Sequence, residues 1–185
     1  INILESIKFL GGNSLFYNAG SSECFGDTFG IAADENTPLR PKSPYGVAKA
    51  AAFWNVLNYR ESYNLYACSG ITFNHESILR PYRFVTKKIC NTAANIALGN
   101  KEYLRLGDLT ISRDWGWAPD YVIAMHMMLQ NENPIDYIIA TGKTFSLRYF
   151  VEKSFELGNI SIQKHLEISD SLKRPCDIEY SALNP

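Results

Sequence analysis

Four side chains in the first fifty residues could together transfer protons: Ser21, Glu23, Tyr45 and Lys49. Tyr45 and Lys49 are spaced by about one helical turn, so they would share one face of a helix. A Lys ammonium beside a phenol favours the phenolate, so Tyr45 could act as a base near neutral pH. Each residue alone has a simpler interpretation, as a capping hydroxyl, a surface charge or a solvated helix pair. The presence of all four in this order favours a catalytic site.

The elements that must position these side chains can be predicted from the pattern around them. Apolar residues at helical spacing predict a helix over residues 3–10, and Gly11-Gly12 ends it. Residues 14–18 predict a short buried strand, so Ser21 and Glu23 would follow its carboxyl end, where ligands bind in open α/β sheets. A proline-rich loop over 26–44 then leads into a helix over 45–63.

The remainder of the chain alternates between strand and helix patterns. We predict strands at 66–73, 103–106 and 137–140, helices at 84–98, 120–130 and 147–157, a polar strand tip at 74–77, a loop at 108–117, and a weak strand pattern after residue 177. This alternation predicts an α/β fold with a parallel sheet and flanking helices. The larger apolar side chains are interpreted as core, namely Trp54, Trp115, Trp117, Tyr121, Met125, Met127 and Met128.

Composition limits the class of protein. The chain has 185 residues, with 18 Lys and Arg against 19 Asp and Glu, so its charge argues against a general nucleic-acid or membrane partner. The four cysteines are scattered, which argues against a metal site and against a disulfide framework: Cys24, Cys68, Cys90 and Cys176. We expect a cytoplasmic protein. Because the chain starts at Ile1 and its first methionine is Met125, we expect a piece of a longer protein.

Several segments carry a resemblance to a known family. They are Ser21–Gly26, Pro41–Lys49, Phe73–Ser77, Phe84–Ile89, Arg113–Gly116, Asp120–Val122, Ala140–Gly142 and Arg174–Asp177. In this order they resemble the GDP-mannose 4,6-dehydratase family of the extended short-chain dehydrogenase/reductase superfamily, over the whole chain. Departures are Ile78-Leu79 for a Pro-Arg pair, Pro81 for a Gly, and Asp177 for a Glu.

The resemblance implies a fold and a reaction. Residues 1–75 would belong to a Rossmann-like domain, and 76–185 mainly to a small nucleotide-sugar-binding region, with about 108–141 returning to the sheet. Roughly the first third of such a protein, with its glycine-rich loop, would precede Ile1. The implied reaction dehydrates GDP-mannose to GDP-4-keto-6-deoxymannose through transient hydride transfer to NADP. Two alternatives stay open: another sugar-nucleotide dehydratase or epimerase of the superfamily, or a truncated non-catalytic chain.

The resemblance also assigns roles to residues. Ser21, Glu23, Tyr45 and Lys49 would be catalytic, with Glu23 removing the C5 proton. The implied NADP contacts are Tyr45, Lys49, His75 and Arg80, and the implied contacts to the substrate are Asn74, Val85, Lys88, Arg113, Arg174 and Asp177. No metal is implied. We expect Glu76 to hold the loop near Arg80. The full-length protein would be a homo-oligomer.

Overall fold

The structure, a computed structural model, describes residues 1–11 and 13–172. The helices are α1 (Asn2–Leu10), α2 (Pro44–Tyr63), α3 (Val85–Ala97), α4 (Ala118–Met128), α5 (Leu147–Leu157) and α6 (Ile162–His165), with 3-10 turns at Ser22–Cys24 and Asp170–Leu172. The strands are β1 (Phe16–Ala19), β2 (Ala67–Thr72), β3 (Asn74–Glu76), β4 (Leu104–Leu106), β5 (Ser112–Trp117), β6 (Tyr137–Ile139), β7 (Thr144–Ser146) and β8 (Leu166–Ile168).

A parallel sheet in the order β1-β2-β6 forms the framework of the molecule. Its middle strand β2 is buried along its whole length, which is typical of a parallel strand covered on both faces. α2 packs against β2 and against the 3-10 turn that follows β1. The predicted α/β fold with a parallel sheet and flanking helices is therefore confirmed.

The chain leaves this sheet at Phe73 and enters a second one. The Phe73 N–H donates to the carbonyl of Ile139 on β6, at 2.9 Å, and the next residue begins β3. β3 pairs in parallel with β5, which pairs antiparallel with β7, while β4 and β8 form a separate parallel pair. A buried apolar cluster between α3 and α5 supports this part, with Ile89, Leu104, Val151 and Phe155 at its centre.

Local sequence explains where α2 begins and ends. The Ser43 hydroxyl accepts a hydrogen bond from the Gly46 N–H at 3.0 Å, and Pro44 occupies the first turn, where its missing N–H costs nothing. The helix ends at Asn64, which adopts the left-handed conformation with φ 52°. These two caps fix the bounds of α2, which carries Tyr45 and Lys49 near its start.

A largely buried ion pair ties α2 to the sheet. The Arg60 guanidinium donates to both carboxylate oxygens of Asp136, at 2.9 and 2.6 Å, and to the Ala67 carbonyl. Asp136, just before β6, also accepts from the Ser69 N–H at 2.6 Å. The contact with Asp136 raises the pKa of Arg60.

Most predicted elements are confirmed within two residues, but one prediction is wrong. Residues 112–117, predicted as part of a loop, form β5, and the predicted polar tip at 74–77 contains β3. The pairing between β3 and β5 joins residues far apart in sequence, so no local sequence pattern predicts it. β7, α6 and β8 were not predicted, and the strand pattern after residue 177 lies outside the described residues.

The predicted core is partly wrong. Tyr121 and Met128 are buried, but Trp54, Trp117 and Met127 are 56%, 50% and 62% exposed. Trp54 and Met127 lie on the outward faces of α2 and α4, and Trp117 lies at the end of β5. Apolar type alone does not determine which face of an element is covered.

The described residues show three further features. None of their helices is long and apolar enough to cross a bilayer. They contain no group of three or more His, Cys, Asp or Glu side chains that could hold a metal ion. Cys24, Cys68 and Cys90 are free thiols, and Cys176 lies outside the described residues.

Candidate active site

A cleft of about 780 Å³ opens at the carboxyl ends of β1 and β2. It is lined by every predicted site residue that the structure describes, namely Ser21, Glu23, Tyr45, Lys49, Asn74, His75, Arg80, Val85, Lys88 and Arg113. The two others, Arg174 and Asp177, lie outside the described residues. Residues as far apart in sequence as Ser21 and Arg113 therefore line one cavity.

Ser21, Glu23, Tyr45 and Lys49, here called the strand-tip group, occupy the part of the cleft nearest β1. Ser21 caps the 3-10 turn, and its hydroxyl accepts from the Glu23 N–H at 3.3 Å. The Glu23 carboxylate accepts from the Ser43 hydroxyl at 3.2 Å. The turn after β1 is thus bonded directly to the first residues of α2.

Glycine permits α2 to approach this turn closely. A Cβ atom on Gly46 would lie 2.6 Å from the Glu23 carbonyl oxygen, a distance that real Cβ atoms do not adopt. Gly46 has ordinary helical geometry, so the requirement here is space rather than a special φ. Together with the bond between Ser43 and Glu23, this contact fixes the two halves of the strand-tip group relative to each other.

Tyr45 and Lys49 share the face of α2 that borders the cleft, as the spacing predicted. The Lys49 ammonium lies 5.5 Å from the centroid of the Tyr45 ring and donates to the Ala19 carbonyl at 2.8 Å. Tyr45 is 55% exposed, so its phenol is accessible from the cleft. Ala19 is the last residue of β1, so this bond also anchors Lys49 to the sheet.

His75 is held in place from two sides. Its Nδ1 donates to the Phe73 carbonyl at 2.8 Å, and its ring stacks on Tyr121 with centroids 4.9 Å apart. Burial raises the pKa of Tyr121, so that phenol stays neutral and acts as a packing surface. Asn74, one residue earlier on β3, lines the same part of the cleft.

Arg80, Arg83, Thr86 and Lys88, here called the α3 group, surround the start of α3. The helix begins after Phe84, which has no side-chain oxygen to cap it, so its first N–H groups have no side-chain acceptor. The Thr86 hydroxyl is buried and has no hydrogen-bond partner among the described residues. Unbonded donors and cations at a helix N-terminus are suited to an anion.

The members of the α3 group differ in how firmly they are held. Arg80 lies 3.0 Å from Glu76 in an ion pair and stacks on the Phe84 ring at 3.8 Å. Glu76 therefore holds this loop, as predicted. Lys88 donates to the Arg105 carbonyl on β4 at 2.5 Å, whereas Arg83 is exposed and has its guanidinium 5.3 Å from the Phe84 ring.

The segment from Arg113 to Trp115 serves both the cleft and the scaffold. Arg113 and Trp115 line the cleft, and Trp115 also packs on Phe150 with ring centroids 5.4 Å apart. Asp114 is fully buried and accepts from the N–H groups of Thr141 and Gly142, so it holds the turn between β6 and β7. The carboxylate of this segment is thus structural rather than catalytic.

Sequence reasoning missed several lining residues. Arg83 and Thr86 were not assigned a role, and Trp115 was interpreted as core alone. One signal was available for the first two, because they flank a helix start whose cap residue, Phe84, cannot accept a hydrogen bond. Cys24 also borders Glu23, but burial raises the pKa of its thiol to about 12, so it is not a nucleophile at neutral pH.

A family model and several curated relatives carry the same description. A family model described as GDP-mannose 4,6 dehydratase matches residues 1–182. A GDP-mannose 4,6 dehydratase of Drosophila melanogaster is 51% identical over 158 residues, which is 84% of this chain and 40% of that protein. The chain spans less than half the length of the curated relatives it matches.

Solved structures share the fold. A structure of RMD from Pseudomonas aeruginosa complexed with NADPH superposes with a TM-score of 0.88 at 20% identity, covering 99% of this chain and 61% of that one. A dTDP-glucose 4,6-dehydratase from Bacillus anthracis in complex with NAD gives 0.85 at 22% identity, covering 98% and 56%. At these identities the likeness describes the fold alone.

Proposed function

Because the chain belongs to the GDP-mannose 4,6-dehydratase family, we propose that the whole protein converts GDP-mannose to GDP-4-keto-6-deoxymannose and water. The observation that carries this proposal is the cleft that unites the strand-tip group with the α3 group. One group has the acid–base side chains that a 4,6-dehydration needs, and the other has donors and cations suited to a nucleoside diphosphate.

A nicotinamide cofactor supplies the hydride acceptor and donor, and we propose NADP. Tyr45, Lys49 and His75 fit such a group, since an ammonium, a phenol and an imidazole at a sheet's carboxyl end can bond to ribose and amide atoms. Arg80 would add a contact near the ribose. One neighbour in the same fold was solved with NADPH and another with NAD, which supports a nicotinamide cofactor, and the choice of NADP comes from the family resemblance.

The chain's own residues handle the protons. Tyr45 takes the proton of the sugar C4 hydroxyl as the C4 hydride departs, and Ser21 donates to the carbonyl oxygen that forms. Lys49, fixed by Ala19, keeps a positive charge beside the phenol. The C4 ketone makes the C5 proton acidic, and Glu23 removes it.

Elimination completes the chemistry. The C6 hydroxyl would leave as water with the proton that Glu23 took from C5, and the hydride would return to C6. C5 would then take a proton from solvent, which is balanced by the C4 hydroxyl proton that Tyr45 releases to solvent. The sugar is oxidised at C4 and reduced at C6, so the reaction needs no external oxidant or reductant. All of these steps depend on one hexose held within reach of four side chains.

The diphosphate would lie at the start of α3. Its oxygens would accept from the Val85 and Thr86 N–H groups, from the Thr86 hydroxyl and from Arg83. Arg113 and Asn74 line the cleft beside this position, and Lys88 adds charge. We propose that Arg174 and Asp177 also contact the guanosine diphosphate, as the family resemblance implies.

We further propose the division of the chain predicted above, with 1–75 in a Rossmann-like domain and 76–185 mainly binding the nucleotide sugar, and a homo-oligomeric whole protein. β6, at 137–139, pairs with β2 and supports the return of one segment to the sheet. A titration of the isolated chain with NADP addresses the non-catalytic alternative. We expect weak or no binding, and tight binding would contradict the proposal that most of the cofactor contacts lie outside this chain.

The test is product analysis. The whole protein is incubated with NADP and, separately, GDP-mannose, dTDP-glucose and UDP-glucose, and the products are analysed by mass spectrometry. We expect loss of one water from GDP-mannose only. An unchanged mass with altered stereochemistry would indicate an epimerase, and loss of water from another sugar nucleotide would reject GDP-mannose as the substrate.

A further inference from the structure

We propose that Ser43 is a positioning residue for Glu23, in addition to being the N-cap of α2. The inference rests on the proposed function, because it concerns the step in which Glu23 takes the C5 proton. The geometry consists of two hydrogen bonds that meet at one hydroxyl. The Ser43 oxygen accepts from the Gly46 N–H at 3.0 Å, and the same hydroxyl donates to Glu23 Oε2 at 3.2 Å.

Only a hydroxyl can perform both tasks with a single atom. A serine has one O–H donor and two lone pairs, so capping uses a lone pair and leaves the proton for a second partner. An aspartate would cap the helix equally well, yet it has no proton to donate and would bring a like charge to Glu23. The residue type at 43 therefore matters beyond the helix start.

A second N-cap serine in the chain shows what capping alone requires. Ser146 caps α5 by accepting from the Tyr149 N–H at 3.1 Å, and it does not line the cleft. Both serines stabilise a helix start of the same kind. Ser43 differs because its hydroxyl also contacts a carboxylate that borders the cleft.

The consequence concerns the direction of the Glu23 side chain. Glu23 is half-buried, and its carboxylate has several rotatable bonds between it and the backbone. The bond to Ser43 ties one oxygen to α2, the helix that also carries Tyr45 and Lys49, and leaves the other oxygen for substrate. The Glu23 carboxylate is thereby held in a fixed position relative to Tyr45 and Lys49, and such fixed geometry favours proton transfer.

The experiment resolves the two halves of the reaction in the whole protein with NADP bound. GDP-mannose is mixed rapidly in D₂O, reduction of the nicotinamide is followed by absorbance, and deuterium entry at C5 is followed by mass spectrometry. The variants are Ser43→Gly, Ser43→Asp and Ser43→Thr, with Ser146→Gly as the matched loss of a cap. Thermal unfolding is measured for each one.

We expect Ser43→Gly and Ser43→Asp to reduce the nicotinamide within about twofold of the wild-type rate, but to incorporate deuterium at C5 about tenfold more slowly. Reduced cofactor would then accumulate. Ser43→Thr keeps the hydroxyl and should restore deuterium entry to within about threefold of wild type. Ser146→Gly should lower the unfolding temperature as much as Ser43→Gly and change neither step.

Contrary outcomes separate the two proposals. If the wild type incorporates deuterium and Ser43→Gly slows both steps equally, or neither, Ser43 is a cap only and the positioning role is rejected. The same follows if Ser43→Thr is no faster than Ser43→Gly. If the wild type forms no 4-keto-6-deoxy product, the proposed function fails and this inference fails with it.

Discussion

The strand-tip group and the α3 group line the same cleft, yet they are held in different ways. Within the strand-tip group, Ser21, Glu23 and Lys49 all bond to neighbouring parts of the chain. In the α3 group, the helix start lacks a side-chain cap and the Thr86 hydroxyl has no partner among the described residues. The strand-tip group is held by the chain itself, whereas the α3 group, in which Arg80 and Lys88 are also held, leaves the Thr86 hydroxyl and the first N–H groups of the helix for a ligand.

This difference corresponds to two uses of binding energy. Side chains that transfer protons gain from being fixed before the substrate arrives, because no reorganisation is then needed during the reaction. Donors that hold a remote diphosphate can remain unbonded until the substrate supplies its oxygens, and that remote contact can fix the sugar in place. We therefore expect changes in the strand-tip group to affect kcat, and changes in the α3 group to affect KM.

The largest effect is expected from Glu23→Gln. Glutamine has nearly the same shape and can still accept from Ser43, but it cannot take a proton from C5. Since general acid–base catalysis contributes about 100- to 10,000-fold, we expect kcat to fall about 1,000-fold. Stopped-flow absorbance should show reduced cofactor accumulating, because the oxidation at C4 does not depend on this carboxylate.

Glu35→Gln is the matched control for that change. Glu35 lies in the loop before α2, outside the cleft lining, and accepts from the Ile138 N–H, which glutamine can still satisfy. Its turnover should remain at the wild-type level. A Glu23→Gln enzyme that releases product at the normal rate would show that another group removes the C5 proton.

A smaller effect is expected from Gly46→Ala, which separates the halves of the strand-tip group. The added Cβ would meet the Glu23 carbonyl oxygen at 2.6 Å, so either α2 or the 3-10 turn must move. Overpacking of this kind costs about 1–3 kcal/mol in the free energy of unfolding, measurable by urea denaturation. A displacement of reacting groups by about 1 Å can lower kcat on the order of 100-fold.

Val47→Ala provides the comparison on the same helical turn. Val47 is 54% exposed, so its truncation should change the free energy of unfolding by less than about 0.5 kcal/mol and leave kcat unchanged. If Gly46→Ala retained wild-type kcat and stability, the close approach of α2 to Glu23 would be dispensable. The alignment between the two halves would then depend on Ser43 alone.

The two groups also differ in how far sequence could predict them. Tyr45 and Lys49 are one helical turn apart and Glu23 follows a strand end, so local spacing was enough to bring them together. Thr86 could not be identified in this way, because the absence of a partner for its hydroxyl depends on what packs around α3. β5 was not predicted for a related reason. It pairs with β3, which is distant in sequence, and with β7, which was not predicted either.

Apolar faces gave the least reliable predictions. The outward positions of α2 and α4 carry Trp54 and Met127, residue types that normally indicate core, and both are exposed. The sequence also assigned no role to Asp114, whose buried carboxylate accepts from two backbone N–H groups and holds a turn. Sequence fixes the chemistry that short spacings can bring together, whereas burial depends on the tertiary arrangement.

The smallest effect is expected from Thr86→Val, which tests the α3 group directly. Valine has the same shape without the hydroxyl, so a bond to the diphosphate is lost while the packing of α3 is retained. A hydrogen bond to a charged group is worth about 1.5–3 kcal/mol, so KM for GDP-mannose should rise about tenfold or more with kcat within about twofold.

Thr86→Val should weaken substrate binding but make the ligand-free protein more stable to unfolding. Replacing a buried hydroxyl that has no partner among the described residues removes a desolvation penalty, so the ligand-free protein should gain about 1 kcal/mol in the free energy of unfolding. Thr92→Val, buried on α3 but outside the cleft lining, should leave KM unchanged. If Thr86→Val left KM unchanged as well, the diphosphate would have to bind away from the start of α3, and the contrast between the two groups would lose its basis.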